Sequence, residues 1–131
     1  RQYGLPFTLP SPFPQDALLA ARIAHAAQNQ PWIGAFTRAV FIAEFGQGLN
    51  IADESLMAEL LLEIGAPART ALSTAQSREN KISLRAAVTE AEILGIFGAP
   101  SFVIPGGDLY WGDDRLEQAL EAAGNLVETD A

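Results

Sequence analysis

Apolar positions recur at helical spacing through most of this chain. From Asp16 onward Leu18, Leu19, Ile23 and Ala26 share one face, and Asp16 stands where an N-cap belongs. Gln28-Asn29-Gln30-Pro31 interrupts the pattern. Pro31 suits the first turn of a second helix carrying Trp32, Phe36, Val40, Phe41 and Phe45, which Gly46-Gln47-Gly48 ends. Asp53 and Glu54 open a third helix with Leu56, Leu60, Leu61 and Ile64 inward, stopped by Gly65 and Pro67. A short helix is predicted over 67–77, and a long one from Glu79 to Phe97.

The period then switches. Ser101-Phe102-Val103-Ile104 is a short β run, Pro105-Gly106-Gly107-Asp108 is turn chemistry, and Leu109-Tyr110-Trp111 is a second strand, so an antiparallel hairpin is predicted. Gly112 breaks it. Asp113 or Asp114 caps a last amphipathic helix with Leu116, Leu120 and Ala123 inward, and Asp114 with Glu117 has capping-box spacing. Residues from Asn125 to Ala131 read as a frayed tail. A two-stranded hairpin is marginal by itself, and no other stretch reads as a strand. The chain starts at Arg1, and the expectation is that a preceding portion supplies the missing strands.

Ahead of the first helix, Pro6, Pro10, Pro12 and Pro14 hold their preceding residues extended, which predicts a stiff arm. Leu5, Phe7, Leu9 and Phe13 give the arm apolar teeth, so it is expected to lie on something.

Composition narrows the chemistry. Hydrophobic residues make up 49% of the 131 residues, enough for a packed core. The net charge is -8, with a single Lys (Lys81) and scattered Arg, which disfavours nucleic acid and anionic membranes. No run is long enough to span a bilayer, so a cytoplasmic protein is the expectation. There is no Cys, hence no disulfide, thiolate metal site or CxxC chemistry within these residues. Carboxylates and the single His25 show no metal-binding spacing; His25 reads as a surface or boundary residue. Gly46-x-Gly48 follows a helix and lacks a third Gly, so it is no phosphate loop.

Gly95-Ile96-Phe97-Gly98-Ala99-Pro100-Ser101-Phe102-Val103, followed by Leu109-Tyr110-Trp111-Gly112-Asp113-Asp114-Arg115-Leu116, resembles the 2-hydroxychromene-2-carboxylate isomerases and the kappa-class glutathione transferases. Pro12-Phe13-Pro14-Gln15-Asp16-Ala17-Leu18 resembles the family's entry into its helical insertion, and Ala43 to Asp53 its next inter-helix turn. The resemblance covers about residues 3 to 122. It implies an α/β thioredoxin-like fold of DsbA and kappa type with a large all-helical insertion. This chain would be mostly α, with a C-terminal β-hairpin and helix, and would lack the N-terminal β-α-β portion. The implied division is an extended arm over 1–15, a helical insertion over 16–97, the C-terminal thioredoxin-like part over 98–124, and a tail over 125–131.

The resemblance also implies glutathione as cofactor and a cis-proline at Pro100, with Ala99 presenting its backbone to an extended peptide. The alternative for these residues is an ordinary turn into a strand. Asp113, Asp114 and Arg115 would take the charged γ-glutamyl end of glutathione; the family's usual pattern is a small polar residue before Asp-Arg, so Asp113 departs from it. For Asp114 the alternative is a plain helix cap. Asp16 departs too, standing where many relatives carry Asn before Ser or Thr; it either faces the substrate or is only a cap. Trp32, Phe36, Phe97, Tyr110 and Trp111 either wall an aromatic pocket or belong to the core.

The activity implied is glutathione-dependent cis–trans isomerisation of an aromatic oxo-acid in bacterial breakdown of aromatic compounds, in a homodimer. The catalytic Ser would lie outside this chain, since Ser11 and Ser101 lack the family's setting. A DsbA-like disulfide oxidoreductase with its CxxC upstream, and a non-catalytic thioredoxin-fold fragment, are the alternatives.

Overall fold

The structure, a computed structural model, describes residues 3–129; the first two residues of the arm and the last two of the tail lie outside it. Its elements in chain order are α1 (Leu18–Ala26), α2 (Ile33–Phe41), a π-helical turn (Ile42–Gly46), α3 (Glu54–Glu63), α4 (Ala68–Ala75), α5 (Arg78–Ile93), β1 (Ser101–Val103), β2 (Leu109–Trp111), a 3-10 turn (Asp113–Arg115) and α6 (Leu116–Thr129). They divide into two compact units, Arg1–Leu84 and Arg85–Ala131.

In the first unit α1 packs on α2 and α4, and α3 on α2 and α4. Ile23, Phe36, Ile51, Met57 and Leu61 are its largest fully buried side chains. Each is worth about 1.5–3 kcal/mol of burial. Alanines fill the rest: Ala20, Ala43, Ala68, Ala71 and Ala75 are buried at the crossings, letting the helices approach closely. Asn80 is the buried polar residue among those described. Its Nδ2 donates to the carbonyls of Arg22 and Ala75, both at 2.9 Å, tying the start of α5 to α1. One turn further along both helices, His25 Nε2 and Ser83 Oγ are 2.8 Å apart. His25 is half-buried at that boundary, as expected.

Several helix ends differ from the pattern. Asp53 caps α3, accepting from the Ser55 N–H at 2.9 Å. Asp16 instead sits one residue ahead of the N-cap, which is Ala17, and accepts from the Leu18 N–H at 2.8 Å. Pro31 precedes α2 and Trp32 holds the cap position, because the Gln30 carbonyl is already taken by Ile33. Met57 is the buried α3 residue that the leucine spacing concealed. α5 stops at Ile93, short of Phe97. There Gly95 takes φ +78, its N–H reaches the Glu92 carbonyl at 3.0 Å, and the Ile96 N–H reaches Ala91, also at 3.0 Å, a glycine-based helix stop.

The arm does lie on something. Pro10 is buried, the Thr8 N–H donates to the Phe45 carbonyl, and the Phe7 and Phe45 rings stack at 6.4 Å. It is not one uniform extended rod, because Ser11-Pro12 and Phe13-Pro14 are cis bonds within a run of bends. The π-helical turn makes this docking fit. Carbonyls of Ile42, Ala43 and Glu44 are taken by Gln47, Leu49 and Gly48, which leaves the Phe45 carbonyl for the arm.

In the second unit β1 and β2 form an antiparallel pair, with Ser101 opposite Trp111, Phe102 opposite Tyr110 and Val103 opposite Leu109. Ile104 falls in the turn, where its carbonyl accepts from the Gly107 N–H at 3.0 Å. α6 packs on both strands. Here the expected inward set is corrected: Ala119 is 4% exposed, whereas Leu116 and Leu120 are 41% and 62% exposed. The expected capping box of Asp114 and Glu117 is absent as well, since the 3-10 turn before α6 has no side-chain cap bond. α6 itself runs to Thr129, into the stretch read as a tail.

Candidate functional site

The second unit gathers five of the residues singled out in the sequence. Ala99–Pro100 is a cis bond and both residues are exposed. Pro100 leads directly into β1, and its carbonyl accepts from the Gly112 N–H at 3.0 Å. That bond sets the proline turn beside Asp113, Asp114 and Arg115, which start immediately after Gly112. The Ser101 hydroxyl donates back to the Gly98 carbonyl at 2.6 Å, closing the proline turn from its other side.

Two glycines make this approach feasible. Gly112 adopts φ 106 and ψ 152, a region open essentially to glycine alone. A Cβ there would also meet Asp114 Oδ1 at 2.5 Å. Gly98 is required for a different reason: a Cβ on it would lie 2.5 Å from the Trp111 Nε1, so the indole rests against bare backbone. Phe97 holds the same indole, with ring centroids 5.1 Å apart and planes at 51°. Trp111 is 53% exposed, which leaves an aromatic surface next to the turn. The supporting roles of Gly98 and Gly112 were not foreseen; glycine on both flanks of the two motifs was the available signal.

Among the described residues no backbone hydrogen bond engages Ala99, nor the N–H groups of Asp113 and Asp114. The Ala99 backbone therefore offers a donor and an acceptor to an extended ligand, and the turn offers two N–H donors with two carboxylates close by. This set matches the groups of a γ-glutamyl peptide, which carries amide, carboxylate and ammonium together. Arg115 is committed differently, its Nη1 donating to Gln118 Oε1 at 2.9 Å.

Asp16 and Trp32 belong to the other unit. The Asp16 carboxylate is exposed and engaged by the Leu18 N–H, which accounts for it as a helix-start residue. Trp32 is half-buried, edge-on to Phe36 at 6.2 Å and 89°, and borders a small pocket of about 120 Å³ with Gln30, Thr70 and Thr74. Phe36 is wholly core. No cluster of His, Asp and Glu suited to a metal ion occurs among the described residues, and no helix there is long and apolar enough to cross a membrane.

A β-hairpin entered through a cis-proline and followed by a helix, beside a compact helical unit, is the plan of one class of protein. Residues 1–124 match the DsbA-like thioredoxin domain, and the chain belongs to that family. Within it, the chain is similar to 2-hydroxychromene-2-carboxylate isomerase of Sphingobium xenophagum, at 27% identity over 116 residues, which are 88% of this chain and 58% of that protein. The solved structure of a 2-hydroxychromene-2-carboxylate isomerase matches with a TM-score of 0.75 and 23% identity, over 98% of this chain and 62% of that one. The resemblance and the fold read from the motifs are thus borne out. The chain spans about three-fifths of the length of these relatives.

Proposed function

We propose that this chain forms the glutathione-binding half of an isomerase of 2-hydroxychromene-2-carboxylate type, acting on an aromatic oxo-acid. One observation carries the reading: the Gly112 N–H bond to the Pro100 carbonyl sets the free Ala99 backbone beside the Asp113–Asp114 turn. The similarity to the Sphingobium isomerase supplies the reaction class. Bound glutathione would supply a thiol able to add reversibly to a conjugated double bond, permitting rotation about it.

The residues of this chain bind and orient. Ala99 pairs with the peptide backbone as an added strand would. Asp114, with Asp113, accepts from the ammonium, while the N–H groups of the same turn receive the adjacent carboxylate. Trp111 and Phe97 offer a flat apolar wall to an aromatic ring. Holding two reactants in register is where such an enzyme gains much of its rate. The serine that activates the thiol is assigned to a portion beyond these residues.

An amide-resolved NMR titration with glutathione into the millimolar range tests this. Shifts should concentrate at Ala99, Ser101, Gly112, Asp113 and Asp114, and Asp114→Ala should weaken them. An unperturbed spectrum, or shifts confined to other residues, overturns the proposal.

A further inference from the structure

The arm carries its apolarity on the wrong side for a segment that merely packs down. Its even-numbered positions face the helical unit: Pro6 lies against Gly46, Thr8 against Gly48, and Pro10 is buried. Its odd-numbered positions hold the large side chains, and Tyr3, Leu5, Phe7 and Leu9 are 70%, 68%, 72% and 58% exposed. Beside them Phe41 and Ile42 are exposed as well, and with Tyr3, Leu5 and Phe7 they border an apolar groove of about 490 Å³. No charged residue occurs from Tyr3 through Gln15, in a chain of net charge -8.

We infer that this stripe is a self-association surface, on which a second copy of the chain pairs its own arm in antiparallel fashion. Three features of the page select a second copy. First, Leu5-Pro6-Phe7-Thr8-Leu9 is symmetric about Phe7 in its outward residues. A two-fold axis there sets Phe7 against the partner's Phe7 and Leu5 against the partner's Leu9, the self-complementarity that an isologous contact demands.

Second, the backbone edge is available. The Thr8 N–H is spent on Phe45. In an extended chain the N–H groups of Phe7 and Leu9 point the opposite way, and no bond engages them among the described residues. The prolines that would spoil such an edge, Pro6 and Pro10, occupy only the even positions.

Third, the size and charge suit a dimer. Tyr3, Leu5, Phe7, Leu9, Phe41 and Ile42 together expose on the order of 600 Å² of apolar surface, near the roughly 800 Å² per partner of a standard interface. An acidic molecule meets its own copy with least repulsion across a patch free of charge.

Sedimentation velocity over a concentration series tests the inference. The wild-type chain should reach a dimer by about 100 µM, and Phe7→Asp should weaken the association by at least about tenfold with an unchanged circular dichroism spectrum. Because the chain has no Cys, Phe7→Cys gives a second, independent readout. Under mild oxidation it should form a covalent dimer, while Leu62→Cys, at an equally exposed site off the stripe, should lag far behind. A wild type that stays monomeric overturns the inference, as it would if the stripe seats a different polypeptide. So does a dimer unmoved by Phe7→Asp, or failure of Phe7→Cys to crosslink faster than the control.

Discussion

Gly112 and Pro100 are joined by one backbone hydrogen bond of 3.0 Å, and through it the proline turn and the start of α6 become a single structural feature. Gly112→Ala should break it, because alanine is strained at φ 106 and its Cβ would meet the Asp114 carboxylate. A loss of about 1–3 kcal/mol is expected, read by urea denaturation, together with altered amide shifts at Ser101 and Arg115. A stability equal to wild type would show that the turn relaxes freely.

Gly98→Ala should displace the Trp111 indole, whose Nε1 would stand 2.5 Å from the new Cβ. In a Trp32→Phe background, where Trp111 is the remaining indole, the substitution should change the near-ultraviolet circular dichroism and the emission maximum. Spectra that overlay before and after substitution would refute the close packing.

Asp16 separates a helix-start role from a substrate-facing one. Asn replaces Asp nearly equally at helix starts, so Asp16→Asn should leave thermal stability within a few tenths of a kcal/mol, whereas Asp16→Ala should cost about 0.5–1 kcal/mol. If Asp16→Asn instead alters glutathione or substrate handling while stability holds, the carboxylate has a further task.

Asn80→Ala should remove both bonds that its amide makes to the Arg22 and Ala75 carbonyls. The expected cost is about 1–3 kcal/mol, measured by chemical denaturation. The neighbouring contact gives a contrast: Ser83→Ala, at an exposed position, should cost under about 1 kcal/mol.

Met57→Ala should leave a cavity at the centre of the first unit, where Met57 is fully buried. A loss of about 2–5 kcal/mol follows from comparable core truncations, and a differential scanning trace would report it directly.

Much of this architecture was readable in advance because the hydrophobic period changes where the chain does. Helical spacing holds until Gly95, and the alternating run at Ser101 announces the hairpin. Asp53 followed by a leucine-rich stretch marked α3 correctly because capping is a local interaction. What spacing cannot supply is the identity of the covering element. Leu116 and Leu120 carry the apolar face of α6, yet Ala119 is the residue that packs down. Backbone hydrogen-bond choices were equally hidden: nothing in the run Phe41–Gly48 distinguishes an α-helical finish from the π turn that forms there. At the site, the motif residues could be named individually, but the bond from Gly112 to Pro100 depends on the hairpin register, a tertiary fact.

The π turn at Ile42–Gly46 acts as a phase shifter on the helix it ends. Accommodating one more residue per turn than the α-helix, it rotates everything after it by roughly 100° about the helix axis. Removing a single residue from this turn would let the α spiral continue and would aim the Phe45 carbonyl along the axis instead of at Thr8. The arm would then lose its anchor without any of its own residues being changed, so at this point chain length, more than side-chain identity, governs how the arm is seated.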